Sequence, residues 1–170
     1  MIKKDAQYWI THLQLIAHPE GGYYRETYRS DMIIPPNAMS ETFSGARSIS
    51  TAIYFLLADS QRSAFHRICS DELWHFHFGE SLVIHIITAD GELRSVRLGA
   101  HIEQGDAFQV TVPANCWFAA EVVGPESFGL CSCTVAPGFD FDDFELADAS
   151  VLSQMYPQHT ALIRRMAEKF

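Results

Sequence analysis

From Ser48 onward the chain divides into short apolar or alternating runs separated by turn-forming residues, the pattern of strands buried on one face or two. These runs predict seven strands, over 48–57, 73–78, 82–88, 93–98, 108–112, 117–123 and 128–135. Between them lie Gly79-Glu80, Asp90-Gly91, Gly99, Gly105-Asp106, Pro113-Ala114-Asn115 and Gly124-Pro125, of which Asp90-Gly91 is a hairpin signal. Upstream, residues 23–29 (Tyr-Tyr-Arg-Glu-Thr-Tyr-Arg) alternate like one more strand, and a loop from Pro35 to Gly45 follows it. No helical period interrupts the strands, so the pattern predicts an all-β sandwich or barrel rather than a parallel sheet. Helical spacing is confined to the ends. Trp9, Leu13 and Ile16 mark a short amphipathic helix over 5–16, broken by His18-Pro19-Glu20-Gly21-Gly22. Residues 150–170 turn helical with a break at Pro157, after which Leu162, Ile163, Met166 and Phe170 form a buried stripe. Both helical ends are expected to cap the β body.

A chain of 170 residues, 48% hydrophobic and 19% charged, can bury one core without disulfides or a structural metal, so a single domain over 1–170 is expected. Twelve basic against 21 acidic residues give a net charge of -9, which repels phosphate backbones and anionic head groups. Nucleic acid and membrane surfaces are therefore not expected as partners. Lys3 and Lys4 are not followed by an apolar segment, and no run approaches the roughly 18 apolar residues of a membrane span. A cytoplasmic location follows as the expectation. Four cysteines without an export signal fit reduced thiols, and Cys131 and Cys133 read as small buried residues on one strand face.

The chemistry concentrates in His66-Arg67-Ile68-Cys69-Ser70-Asp71-Glu72-Leu73-Trp74-His75-Phe76-His77-Phe78-Gly79, which matches part of the first cupin motif at His66, Glu72 and Gly79. Ile68 stands at that motif's second histidine and Ser60 at the glycine that precedes it. In the segment corresponding to the second motif, Phe118 takes the place of the last metal ligand and Asn115 that of the turn glycine. Of four usual ligands only His66 and Glu72 survive, and two protein ligands rarely make a tight site. No metal or other cofactor is therefore expected; any metal would fall to His66 and Glu72. Strand alternation puts His75 and His77 on the face opposite Glu72, Trp74 and Phe76. Acidic residues between Asp140 and Asp148 lack the turn glycine of a helix-loop-helix calcium site and read as a solvated connection pinned by Phe139, Phe141 and Phe144.

Three stretches, 18–30 (His-Pro-Glu-Gly-Gly-Tyr-Tyr-Arg-Glu-Thr-Tyr-Arg-Ser), 71–76 (Asp-Glu-Leu-Trp-His-Phe) and 135–141 (Val-Ala-Pro-Gly-Phe-Asp-Phe), resemble the cupin-5 family, once catalogued as a domain of unknown function. The resemblance spans nearly the whole chain. It implies a double-stranded β-helix, the cupin jelly roll, akin to that of dTDP-4-dehydrorhamnose 3,5-epimerases. It further implies a predicted sugar-epimerase activity and draws attention to the polar residues of the first strand. On that reading His66 is the base, Glu72 or a nearby acid orients it, and a tyrosine such as Tyr23 or Tyr28 is the acid. Arg25 or Arg47 would anchor an anionic, sugar-like ligand, with Glu26 beside Arg25 and with Tyr23, Tyr28 and Trp117 as flat surfaces.

Three functions stay open: a metal-independent epimerase or isomerase acting on a sugar or nucleotide-sugar-like carbonyl compound, a non-catalytic small-molecule-binding module, and a metal-dependent cupin enzyme. A homodimer is expected, because open sheet edges invite pairing.

Overall fold

The computed structural model describes residues 4–167. Helix α1 (Ala6–His12) leads into β1 (Ile16–Ala17), β2 (Tyr23–Arg29), β3 (Ile33–Ile34) and β4 (Arg47–Ser48). Then follow β5 (Thr51–Ala58), β6 (Arg62–Arg67), β7 (Asp71–Gly79), β8 (Leu82–Ile87), β9 (Leu93–Leu98), β10 (Gln109–Val112), β11 (Trp117–Val122), β12 (Phe128–Ala136) and β13 (Glu145–Leu146). Helices α2 (Ala149–Met155) and α3 (Thr160–Ala167) complete the described chain. One sheet has the order β1-β2-β5-β12-β7-β10 and the other β13-β6-β11-β8-β9, while β3 and β4 pair separately. From β5 to β13 the chain passes repeatedly from one sheet to the other, which is the jelly-roll course.

The main core fills the space between the sheets, with Phe55, Leu57, Trp74 and Cys131 facing Leu82, Ile84, Phe118 and Ala120. Outer faces are covered by helices. Trp9, Ile10 and Leu13 of the α1 region pack with Leu56 and Leu130 on the six-stranded sheet, and Leu152, Ile163 and Met166 of α2 and α3 pack with Phe65, Ile87 and Trp117 on the five-stranded one. Asp148 caps α2 by accepting hydrogen bonds from the Ser150 and Val151 amides. The helices thus cap the β body as the terminal patterns predict, although Phe170 lies outside the described residues. No helix among the described residues is long and apolar enough to cross a membrane.

Strands β2 and β9 fall where the pattern places them, and the other predicted strands shift by a few residues at their ends. The pattern does not predict the two-residue strands β1, β3 and β13, and α1 stops at His12, so that Ile16, expected in the helix, begins β1. The one longer strand it does not predict is β6, Arg-Ser-Ala-Phe-His-Arg, whose one large apolar residue gives no alternation to read. A register shift against β11 explains the rest: Phe118 pairs with His66 but Ala120 pairs with Ser63, so β6 carries an extra residue. The bulge puts Ser63 and His66 on the inner face while Phe65 points to the helices. In β2 a second shift leaves Thr27 unpaired, so Tyr24, Glu26 and Arg29 lie opposite Phe55, Ile53 and Thr51. Cross-strand partners share a face, so these three look inward while Tyr23, Arg25 and Tyr28 look outward.

Residues 18–22 form a tight turn between β1 and β2, closed by hydrogen bonds from the His18 amide to the Gly22 carbonyl and from the Gly21 amide to the His18 carbonyl. The Ala64 amide donates to the Glu20 carbonyl at 2.8 Å and ties the turn to β6. Gly21 has a φ of +115°, and a Cβ there would collide with the Arg62 carbonyl oxygen. Only glycine lets the turn approach β6 this closely. Gly21→Ala is expected to destabilise the fold by at least about 2 kcal/mol, seen as a lowered urea midpoint; an unchanged midpoint would show that the turn is not anchored here.

Candidate active site

The two sheets part at one end around a cavity of about 210 Å³. Its floor is apolar, with Ile53, Phe55, Ile68 and Trp74, and one wall is the aromatic set Phe139, Phe141 and Phe144. His18, Glu20, His66 and Glu72 supply the inner polar groups, and Glu26, Arg29 and Asp140 the outer ones. Volume alone limits the occupant, since drug-sized sites run to about 300–1,000 Å³.

Glu20 is the centre of the inner group. It is 8% exposed, accepts a hydrogen bond from the Ser63 hydroxyl at 2.8 Å and lies 2.9 Å from His66 Nε2 and 3.4 Å from His18 Nδ1. The other nitrogen of His66, Nδ1, lies 2.8 Å from the Ala64 carbonyl, which can only accept, so Nδ1 carries a hydrogen. Burial alone would lift the Glu20 carboxyl, but His66, His18 and Ser63 together hold it below its ordinary value of 4.5. Burial likewise opposes charge on His66, yet Glu20, the Ala64 carbonyl and Glu72 carry its pKa above 6.5. Both ring nitrogens thus face oxygen acceptors, an arrangement that favours the carboxylate–imidazolium form of the pair. His18 goes the other way: burial, assisted by the His66 charge, outweighs Glu20 and keeps its ring neutral. Its Nδ1 faces the Glu20 amide at 3.3 Å, leaving the ring hydrogen on Nε2.

Glu72 has no such partner. Burial, with the Glu20 charge, pushes its carboxyl up to about 7, only partly countered by His66 and a hydrogen bond from the Cys133 thiol. The thiol is itself pushed upward by burial and by Glu72, and so stays protonated.

The aromatic wall is held from outside. Arg47, 5% exposed, donates through Nε and Nη2 to the two carboxylate oxygens of Asp143 at 2.7 and 2.6 Å. Asp140 accepts the Asp142 amide at 3.0 Å. The acidic segment expected to be a plain connection is thus the cavity's wall.

Of the residues singled out from the sequence, His66, Glu72 and Glu26 line the cavity and the others do not. Tyr23 and Arg25 have the outward parity of β2, Tyr23 toward α1 and Arg25 over the Tyr54 ring, and the bulge at Thr27 turns Tyr28 outward as well, leaving it 52% exposed. Trp117 belongs to the helix-facing side of β11, with the Arg67 guanidinium 4.6 Å above its ring. Arg47 braces the wall without lining the cavity. His66, expected as the base, has both ring nitrogens engaged and serves to position Glu20. His75 stays on the outer face, bonded to Gln109 and Thr134, and His77 packs on Tyr54. His18, Glu20, Tyr24 and Arg29 are cavity residues that the sequence analysis did not select; the polar His-Pro-Glu turn was the available signal for the first two.

A metal centre of the cupin kind does not fit these residues. Buried Ile68 and Phe118 fill two ligand positions, the Phe118 ring sits 4.0 Å from the His66 ring, and Glu20 occupies the His66 nitrogen facing it. Among the described residues no group of three or more His, Cys, Asp or Glu side chains is arranged to hold an ion.

The crossing of the chain between two antiparallel sheets, with a cavity between them, defines a cupin jelly roll. The chain belongs to the Cupin_5 family, described as Cupin superfamily (DUF985), whose model matches residues 7–147. An uncharacterized protein of Saccharomyces cerevisiae is 34% identical over 146 residues, covering 81% of this chain and 72% of its own. A hypothetical protein from Leishmania major, 39% identical, superposes with a TM-score of 0.89 over 98% of this chain and all of its own. At 12% identity, a cupin 2 domain-containing protein from Halorhodospira halophila shares the fold alone, with a TM-score of 0.55 over 91% of this chain and 88% of its own.

Glu72 makes stability depend on pH. Between its ordinary 4.5 and about 7 the folded chain holds a proton that the unfolded chain releases, so stability falls as pH rises through that window and levels off above it. The loss amounts to about 3 kcal/mol. Urea titrations from pH 4.5 to 8 should show this decline in the wild type and a flatter profile in Glu72→Gln; parallel profiles would mean that Glu72 is ionised throughout.

Proposed function

We propose that the cavity binds a small polyhydroxylated carbonyl compound and moves a proton next to its carbonyl, in the manner of an isomerase that works with side chains alone. The observation that carries this reading is Glu72, a buried carboxyl on the cavity wall with no fixed charge partner, beside a charge pair that consumes the remaining acid and base. In its ionised form Glu72 takes the proton from the carbon next to the carbonyl; the bond's electron pair moves into the carbonyl, giving an enediolate. The hydroxyl proton on that carbon passes to the former carbonyl oxygen by way of the His18 ring nitrogen, and Glu72 returns its own proton to the former carbonyl carbon, which leaves the carbonyl one carbon along. The neutral His18 ring has an N–H to stabilise the developing oxyanion. The Glu20–His66 pair keeps its charges fixed while this happens.

One unpaired carboxyl in the inner part of the cavity suits a single-base proton shift better than a two-base epimerisation. For the epimerase suggested by the resemblance, the cavity phenol is Tyr24, in place of Tyr23 or Tyr28.

The test is solvent-deuterium incorporation into a panel of aldoses and ketoses in D₂O, followed by proton NMR. Incorporation at the carbon next to the carbonyl is expected, and Glu72→Gln should lower it by about 100-fold or more. No incorporation into any member, together with saturable binding of one, would replace this reading with that of a non-catalytic binding module.

A homodimer belongs to the same proposal, supported by the edge position of β10 and the exposure of Phe108 beside it. Light scattering on the purified protein should report two chains per particle; a monomer removes the claim.

A further inference from the structure

The outer part of the cavity carries an ion pair that the proton shift does not use. The bulge at Thr27 brings Glu26 and Arg29 to the same inward face of β2. Arg29 donates from Nε to Glu26 Oε1 at 3.0 Å and from Nη2 to Glu26 Oε2 at 2.7 Å. A third bond from Nη2 reaches the Phe139 carbonyl at 3.0 Å and fixes the guanidinium against the aromatic wall. Asp140 lines the same mouth, and its charge reaches Arg29 as well.

Charge bookkeeping decides what such a mouth admits. Four carboxyl groups line the cavity, Glu20, Glu26, Glu72 and Asp140, against one arginine and two histidines. Glu20 cancels His66, Glu26 cancels Arg29, and His18 is neutral. Asp140 is left over, with Glu72 adding charge as it ionises. The mouth of an otherwise acidic molecule is therefore negative, and the one guanidinium that could receive a phosphate or carboxylate already has its fork filled.

We propose that Glu26 sets the specificity of the site: by occupying the Arg29 fork it makes the cavity accept uncharged polyhydroxylated compounds and refuse their phosphorylated or carboxylated counterparts. This rests on reading the cavity as a ligand site, and it reverses the anionic ligand expected from the sequence. The pair is also suited to adjacent hydroxyl groups. Carboxylate oxygens of Glu26 keep lone pairs to accept with, and Arg29 Nη1 makes no hydrogen bond among the described residues and remains a donor. Phe139 and Phe141 provide a flat apolar surface next to both.

Inorganic phosphate is the probe, titrated calorimetrically at low ionic strength into the wild type, Glu26→Ala, and Glu26→Ala combined with Asp140→Asn. The wild type should show no saturable binding across the millimolar range. Glu26→Ala should acquire it, and the double variant should bind at least about threefold more tightly than Glu26→Ala, a gain that Arg29→Ala abolishes. Glu26→Gln, which preserves the shape of the pair, supplies the intermediate case if the alanine variant folds poorly by circular dichroism. Phosphate binding to the wild type through Arg29, or a folded double variant that gains none, would overturn the proposal. Since the titration reads no turnover and leaves Glu72 untouched, its failure is separate from failure of deuterium exchange, which bears on the proton shift alone.

Discussion

A carboxylate buried beneath a protein surface is tolerated only when its charge and its lone pairs are answered, and in this protein the answers to Glu20 organise the whole site. Ser63 and His66 come to it from β6, and the Ala64 amide secures the backbone of its turn. Remove the carboxylate and His66 would be a buried imidazolium without a counter-charge. Remove the β6 bulge and Ser63 and His66 would no longer share a face. The arrangement also fixes Glu72 by exclusion: with His66 bound to Glu20, no strong cation remains to hold the Glu72 proton off, and burial dictates its titration.

The sequence conveyed the frame more fully than the site. Apolar runs with glycine and proline between them marked most strands, and helical spacing at the two ends identified the capping elements. His66 and Glu72 were recognisable because a motif with fixed spacing preserves residue identity even when half its ligands have been replaced. Tyr23, Arg25 and Tyr28 were chosen by residue type without assigning faces to β2; Tyr23 and Arg25 have the outward parity of the strand, and the extra residue at Thr27 turns Tyr28 outward and Arg29 inward. Arg29, four positions beyond Arg25, is the cation that reaches the cavity. Glu20 was hidden differently: its contacts join a turn near the start of the chain to a strand more than 40 residues later, and no local pattern records such a meeting.

The wall opposite the sheets has a comparable logic. Phe139, Phe141 and Phe144 would expose apolar surface if the segment swung free, and Arg47 prevents this through Asp143 from a position outside the cavity. Acidic residues in this stretch thus serve two unlike purposes: Asp143 as an anchor, Asp140 as a charge at the entrance. Counting them together as one acidic cluster obscures the division of labour.

Bulges interrupt two ladders at the cavity, those of β2 with β5 and β6 with β11. Each acts as a change of phase in a two-beat repeat, after which the residues that had faced solvent face the interior. In such a fold the identity of the cavity is stored as much in parity as in composition. Moving a bulge by one position would present a new set of side chains to the ligand while the residues themselves stayed the same. Relatives that retain the double sheet can therefore differ in what they bind through a single insertion or deletion in a strand, a route to new chemistry that comparing residues column by column would overlook.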